Sequence, residues 1–460
     1  MVFSSISFIY IFLPLFLSAY FLVPARFKNA VLFVGSVAFY TVGSIENPWH
    51  ILVFITCIII NWRIGLKLDK RPHANSRERK GWLIAGLVLN IANLFCFKYL
   101  GFAAGQLGFS LNEIVLPIGI SFYTFQAVSY LIDVYRGLCR PAVHLIDFGA
   151  YLAMFPQLIA GPIVTYPTVS KALKEDRRTK ENFFAGMEIF IFGLASKVLL
   201  ANQIAGLWRQ CVNIGFESIT VPMAWMGIFG YSFQLYFDFC GYSLMAVGLG
   251  KILGFDFPEN FRDPYMSVSM TEFWRRWHIT LGSWFREYVY IPLGGSRKGK
   301  GRTWLNLFIV WMLTGTWHGA GYNFILWGFA LFVIISIEKL GLKDFMDRHK
   351  WIGHIYMFFA IPLSWALFVN TDFSRLTLFF QRLVGCGQTV AVYAEDYVKY
   401  GKQYGMFIFL CFIFCTDLPR KVKKKIEGTL SYYLIILVLF WAVAWCLYKG
   451  MDDPFLYFQF

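Results

Sequence analysis

Charge is scarce in this chain, and cysteine pairs are missing from it. Only 15% of its 460 residues are Asp, Glu, Lys or Arg, against about 25% in soluble globular domains. Nine cysteines are scattered, mostly inside apolar runs (Cys57, Cys96, Cys240, Cys411, Cys446), with no CxxC spacing and an odd total. A disulfide framework and a zinc site are both excluded on that pattern, and no metal is expected. There is no repeat of fixed period and no low-complexity tract, so a repeat array and a disordered chain fall away as well. The N-terminal MVFSSISFIYIFLPLFLSAYFLV has no basic region ahead of its apolar run. It is expected to stay as a membrane helix and not to be removed as a signal peptide.

What the chain has in excess is apolar surface. Hydrophobic residues make up 58% and aromatics 20%, and the mean hydropathy is +0.55. One or two water-soluble cores cannot hide that much, so lipid must cover it. At roughly 20 residues per crossing, the sequence predicts an all-α polytopic membrane protein with twelve spans. These are 5–23, 30–45, 50–66, 81–100, 114–135, 183–207, 222–250, 304–320, 322–338, 352–370, 405–417 and 429–449. The span 405–417 is short for a full crossing. The apolar stretch 145–164 is interrupted by Pro156, Gly161 and Pro162, which predicts a re-entrant or broken segment, since a helix there would lose backbone bonds in lipid.

The formal net charge of +15 does not point to nucleic acid. Lys and Arg gather in a few segments between apolar runs: 67–80 (Lys67, Lys70, Arg71, Arg77, Arg79, Lys80), 171–180 (Lys171, Lys174, Arg177, Arg178, Lys180), 251–302, 339–350 and 420–425. Twelve crossings and one re-entrant piece put all of them on one side, the cytoplasmic side by the positive-inside rule, with both termini outside. The intervening loops, including 371–404, are poor in base or balanced by acid.

Residues 255–303 break the pattern by being both polar and aromatic, and a loop of that length is usually functional. Ser269 with Glu272 forms a capping box that predicts a helix from Met270. Trp274, Trp277, Leu281, Trp284 or Phe285, and Tyr288 recur every three or four residues, with Arg275, Arg276 and Arg286 elsewhere on the wheel. This spacing predicts one amphipathic helix at the membrane interface, Trp at headgroup depth and Arg facing water or phosphate. An interfacial anchor accounts for the Trp and Arg but not for His278 on the same helix. Pro292 ends it, and GGSRKGKGR follows with Arg297, Lys298, Lys300 and Arg302. Glycines there permit close approach to a ligand and the cations suit phosphates. The strand and helix of a P-loop are absent, and for the run alone a solvated positive-inside loop is the favoured reading over a phosphate site.

The next span carries WMLTGTWHGAGYNFILWG, with His318 near its end among Gly315, Gly319, Ala320 and Gly321. An ionisable side chain at membrane depth is a functional candidate, and imidazole takes and returns protons near neutral pH. The glycines either clear space for a substrate or let two helices pack closely; the residues alone leave both open. Asp238, in the middle of its span, needs a partner, either an imidazole or an Arg of the interfacial helix. Asp133, Glu188 and Lys197 read as structural, and His50, His73, His144, His349 and His354 carry no claim.

Several stretches together are similar to a known family. LPIGISFYTFQAVSYLIDVYRG (116–137), FPQLIAGPIV (155–164), QLYFDFCGYSLMAVGLGKILGFDFPENF (234–261), the 271–302 segment, TGTWHGAGYNFILWG (314–328) and the ending PFLYFQF resemble the membrane-bound O-acyltransferases. Within them the chain looks most like the branch that holds the membrane component of bacterial alginate O-acetylation. The resemblance implies a single membrane-embedded domain over 1–460, with re-entrant and interfacial helices around a transmembrane tunnel and 255–303 as its cytoplasmic interfacial segment. It implies His318 as the catalytic histidine and His278 as the second family histidine. Arg275, Arg276, Trp277, Arg297, Lys298 and Asp238 are the candidate substrate-binding residues. It further implies acetyl-CoA as donor substrate with no tightly bound cofactor, a place in the bacterial inner membrane, and an extracytoplasmic SGNH-type acetyltransferase partner or the polysaccharide itself as acceptor. An acetyl-histidine intermediate fits the same residues. The alternatives are a transporter or flippase for a charged lipid-linked substrate, a scaffold recruiting an outer acetyltransferase, for which the loop 371–404 offers a docking place, and D-alanyl transfer to teichoic acid. The D-alanyl relatives share LPIGISFYTFQ but are less like this chain around 238–261.

Overall fold

A computed structural model describes residues 2–69, 76–110, 114–175, 177, 179–387, 390–450 and 456. Lys70, Arg71, His73 and Arg178 of the basic loops lie outside the described residues, as does most of the PFLYFQF ending. All regular structure among the described residues is helical.

Among the described residues six helices are long and apolar enough to cross a membrane by length and composition: Trp49–Lys67, Ser76–Lys98, Lys180–Ile214, Tyr322–Arg348, Lys350–Val369 and Leu430–Tyr448. This is a multi-pass membrane protein. The expected span 5–23 is the shorter apolar helix Phe8–Leu22. The other expected spans are helices Lys28–Gly43, Ile120–Arg136, Val221–Ile252, Lys300–His318 and Asp396–Phe414. The last resolves the shortness of 405–417, because the helix begins nine residues earlier than the apolar run. The Asp396 carboxylate accepts hydrogen bonds from the backbone N–H (2.8 Å) and hydroxyl (2.5 Å) of Thr220. Much of the 371–404 stretch is therefore not open loop. It also holds the helix Phe373–Leu383, whose Arg382 donates to the carbonyls of Phe216 (3.0 Å) and Glu217 (3.1 Å).

The helices cluster into two compact units, Met1–Phe190 with Tyr242–Glu259, and Ile191–Gly241 with Asn260–Phe460. In the first unit the stretch 145–164 is broken, as its prolines require: Leu145–Ala153 ends at Met154, Phe155–Leu158 makes one short turn, and irregular chain follows. Its freed carbonyls are used locally; Tyr151 donates its hydroxyl to the carbonyl of Val164 (3.0 Å). The helix expected from 114 starts only at Ile120, because Gly119 is left-handed (φ 70°) and a side chain on it would strike the Leu158 carbonyl. Arg177, expected on a solvated face, is buried. It donates to the Tyr20 hydroxyl (3.0 Å) and to the carbonyls of Leu253 (3.2 Å) and Ala172 (2.6 Å), while its guanidinium lies 4.4 Å over the Phe255 ring. A planar fork with five donors can be shared among several acceptors at once.

The second unit holds every candidate site residue. Its Lys300–His318 and Tyr322–Ile337 helices form a hairpin that crosses at Gly315 and Gly328. A Cβ on Gly328 would lie 2.5 Å from the Trp311 carbonyl oxygen and 3.1 Å from the Gly315 Cα. Gly328→Ala is expected to lower thermal stability by about 1–3 kcal/mol through overpacking. Gly81→Ala, in a helix with open space around that Cβ, should be neutral or mildly stabilising. Melting of both variants in detergent checks the contrast.

Candidate active site

The helix starts where the capping box predicts, though Glu272 reaches back one residue beyond the N-cap. Ser269 Oγ accepts from Glu272 N–H (3.1 Å), and Glu272 Oε2 accepts from Val268 N–H (2.9 Å). A second carboxylate completes this helix start. Glu338, buried, accepts from the backbone N–H groups of Met270 (2.6 Å) and Thr271 (2.8 Å) and from the Thr271 hydroxyl (2.6 Å). Negative charge at a helix N-terminus meets both its free N–H groups and its dipole.

The single amphipathic helix is not what forms. Met270–Arg276 stops, Trp277 turns extended (φ −99°, ψ 129°), His278 is left-handed (φ 45°), and Ile279–Phe285 starts a new helix. Periodicity could not reveal this, because two short helices keep the same three-and-four spacing on either side of the break. Trp277 is not an exposed interfacial anchor: it is 3% exposed. It packs in an aromatic cluster with Phe261 (ring centroids 5.0 Å), Trp365 (5.1 Å) and a stacked Phe273 (5.4 Å).

His278 sits at the break, 1% exposed. Its Nδ1 lies 3.1 Å from Asn260 Oδ1, and its ring meets Phe239 edge-on at 4.8 Å. Burial pushes its pKa down to about 3, so the ring is neutral at physiological pH. His318 ends its helix and is 8% exposed, boxed by Trp317 (4.9 Å), Trp327 (5.2 Å) and Phe368 (5.3 Å). Trp327 is fixed by donating its indole N–H to Ser364 Oγ (3.0 Å). The two histidines share one neighbour, since the His278 ring also lies against Trp317 (6.3 Å). Gly315 serves the close helix crossing, and a Cβ on Gly319 would enter the Phe324 ring. These two glycines pack helices and do not clear a path for substrate.

Beside the first short helix opens a polar cleft of about 570 Å³, lined by Arg275, Arg276, Lys343, Lys350, His354 and Arg420 together with four carboxylates. Three of the cations are paired there: Arg276 with Glu272 (2.5 Å), Lys343 with Asp347, and Arg420 with Asp263. Among the described residues Arg275 and Lys350 have no ion pair. Arg297 and Lys298 do not line the cleft. They are exposed on a separate turn, held by Asn306 through the carbonyl of Gly295 (2.9 Å). Asp238 pairs with Lys197 (2.7 Å), both side chains at most 2% exposed, and its second oxygen accepts from Leu456 N–H (2.9 Å). Lys197 lies in a wide turn, Ser196–Ala201, inside its long helix. Asn260, Glu338, Lys350 and His354 were not singled out by sequence as site residues, because nothing in their spacing marks them.

Replacing one partner of a buried ion pair strands the other charge, at a cost of about 3–5 kcal/mol. Lys197→Met is therefore expected to reduce the folded, monodisperse fraction sharply, and Lys197→Met with Asp238→Asn to recover part of it. Size-exclusion and thermal melts of the detergent-solubilised variants read this out.

Comparison with known proteins converges on the same segment. A model of the MBOAT, membrane-bound O-acyltransferase family, matches residues 140–346. The chain is 35% identical to the "Probable alginate O-acetylase AlgI" of Pseudomonas putida, in an alignment that covers 100% of both chains. It is 33% identical to the "Peptidoglycan O-acetyltransferase" of Helicobacter pylori, over 80% of this chain and 77% of that one. It is 28% identical to the "Teichoic acid D-alanyltransferase" of Bacillus subtilis, over 65% and 78%. The family match spans both buried histidines, and the likeness to one relative runs the full length of each chain. The protein belongs to the membrane-bound O-acyltransferase family and is a membrane-bound O-acyltransferase.

Proposed function

We propose that the protein transfers acetyl groups from cytoplasmic acetyl-CoA to hydroxyls of an extracytoplasmic polysaccharide such as alginate, directly or through an SGNH-type partner. The observation that carries this reading is the placement of two buried histidines against one tryptophan, with the cationic cleft on the helix that leads to them. Arg275 and Arg276 line the cleft, and His278 follows two residues after Arg276. In this reading the phosphates of acetyl-CoA sit in the cleft near Arg275 and Lys350, and the thioester reaches toward His318. Twelve crossings then enclose a tunnel within one membrane-embedded domain, both termini lie outside, and the acceptor arrives from the outer face.

His318 is the general base. It removes the proton of the acceptor hydroxyl as that oxygen attacks the thioester carbonyl carbon. The carbon–sulfur bond breaks, the coenzyme leaves as a thiolate, and the thiolate takes the proton from the imidazolium, so the base is restored. His278 is the second catalytic histidine and works as a neutral imidazole. Likeness to alginate and peptidoglycan O-acetylating relatives favours acetyl over D-alanyl as the group transferred.

Membranes holding the protein are given acetyl-CoA labelled on the acetyl group. Label is expected to reach the acceptor with the wild type, and His318→Ala at matched expression to lose on the order of 100-fold or more of that rate. Equal rates in both would reject His318 as the base, and D-alanyl transfer with no acetyl transfer would reject the donor. Arg275→Gln and Lys350→Gln should each raise the KM for acetyl-CoA by about three- to tenfold, as expected for single phosphate contacts, with kcat nearly unchanged in steady-state assays.

A further inference from the structure

Asn260 meets the helix break with both of its carbonyl oxygens. Its backbone oxygen accepts the N–H of Ile279 (2.9 Å). Its side-chain Oδ1 accepts the N–H of Thr280 (3.2 Å), the Thr280 hydroxyl (2.8 Å) and faces His278 Nδ1 (3.1 Å). His278 itself gives the new helix no side-chain cap, so a residue eighteen positions earlier in the chain does the capping.

The same contacts decide the protonation of the ring. A carboxamide can be placed either way round, and its orientation must come from its partners. Here one partner is unambiguous: the backbone N–H of Thr280 can only donate, so the atom facing it is oxygen. An oxygen that only accepts requires the ring nitrogen facing it to carry a hydrogen. Nδ1 is therefore the protonated nitrogen, and in a neutral ring the lone pair falls on Nε2. Nε2 is buried and meets no hydrogen-bond partner among the described residues.

We infer that Asn260 is the positioning residue of the acyl-transfer site: it fixes His278 as the Nδ1–H tautomer, in a left-handed backbone that the two caps sustain, so that the Nε2 lone pair is the atom offered to the reacting groups. This rests on the reading of His278 as a catalytic histidine. The left-handed conformation is costly for a residue with a Cβ, and Asn260 is what the structure provides to hold it. Without Asn260 the ring loses the acceptor that chooses its tautomer. The Ile279 contact survives substitution because it uses the main chain.

The test uses the full-length protein with 15N-labelled histidine, in lipid. The chain has seven histidines, and the His278 signals are assigned by their loss in His278→Gln. Wild-type His278 is expected as a neutral ring with a protonated Nδ1 and a bare Nε2. Asn260→Ser is expected to mix the two tautomers and to lower kcat at least tenfold while the KM for acetyl-CoA stays within about twofold. An Nε2–H tautomer in the wild type overturns the inference, and this needs no variant at Asn260 to fold. So does an Asn260→Ser protein with wild-type kcat or an unchanged tautomer. His278→Gln at wild-type rate would instead overturn the catalytic reading of His278, and the spectrum would still decide whether Asn260 sets the tautomer.

Discussion

A helix that turns a corner in a dry interior must find new acceptors for the N–H groups it frees, and Asn260 supplies them where the chain breaks between Arg276 and Ile279. Much of the site follows from that corner. It releases Trp277 into the aromatic cluster, where the ring helps fill the core beside Trp365. It leaves His278 at the elbow, ring against Trp317. And it allows Arg275 and Arg276, on the first short helix, to face the polar cleft.

The same demand for internal partners explains the buried charges. In hydrocarbon an unsatisfied ion is expensive, and three of the buried charges here are each bonded to several groups. Asp238 holds both Lys197 and the backbone of Leu456. Glu338 gathers two backbone N–H groups and the Thr271 hydroxyl. Arg177 spreads its guanidinium over four acceptors and an aromatic ring. These are ties between helices far apart in sequence, of the kind that buried polar groups make when every donor and acceptor is used.

Acyl transfer asks for a cation-rich place for the donor and a proton-accepting group next to the reacting carbon. The second unit holds a cleft lined by five Lys and Arg side chains, and two buried histidines, one of them two residues beyond Arg276. The close crossing at Gly315 and Gly328 fixes where the hairpin ends, and hence where His318 stands. Rigid packing of this sort is what holds catalytic groups in position without a cost at the moment of reaction.

By itself the sequence determined the membrane setting, the helical class, the broken stretch at Pro156 and Pro162 and the helix start at Ser269, and it marked His278 and His318 as candidates. Each of these is written in local composition, spacing or a quoted motif, and needs no knowledge of distant neighbours. The helix ends at Ile120 and Asp396, the break at Trp277, the pairing of Asp238 with Lys197 and the contacts of Asn260 and Glu338 were decided only by tertiary structure. Asn260 and His278 are eighteen residues apart, and Glu338 is sixty-eight from Met270. No periodicity reaches across such separations. The physical reason is that a buried polar group is satisfied by whatever the fold brings within about 3 Å, and proximity in space is the one property that a linear chain does not display.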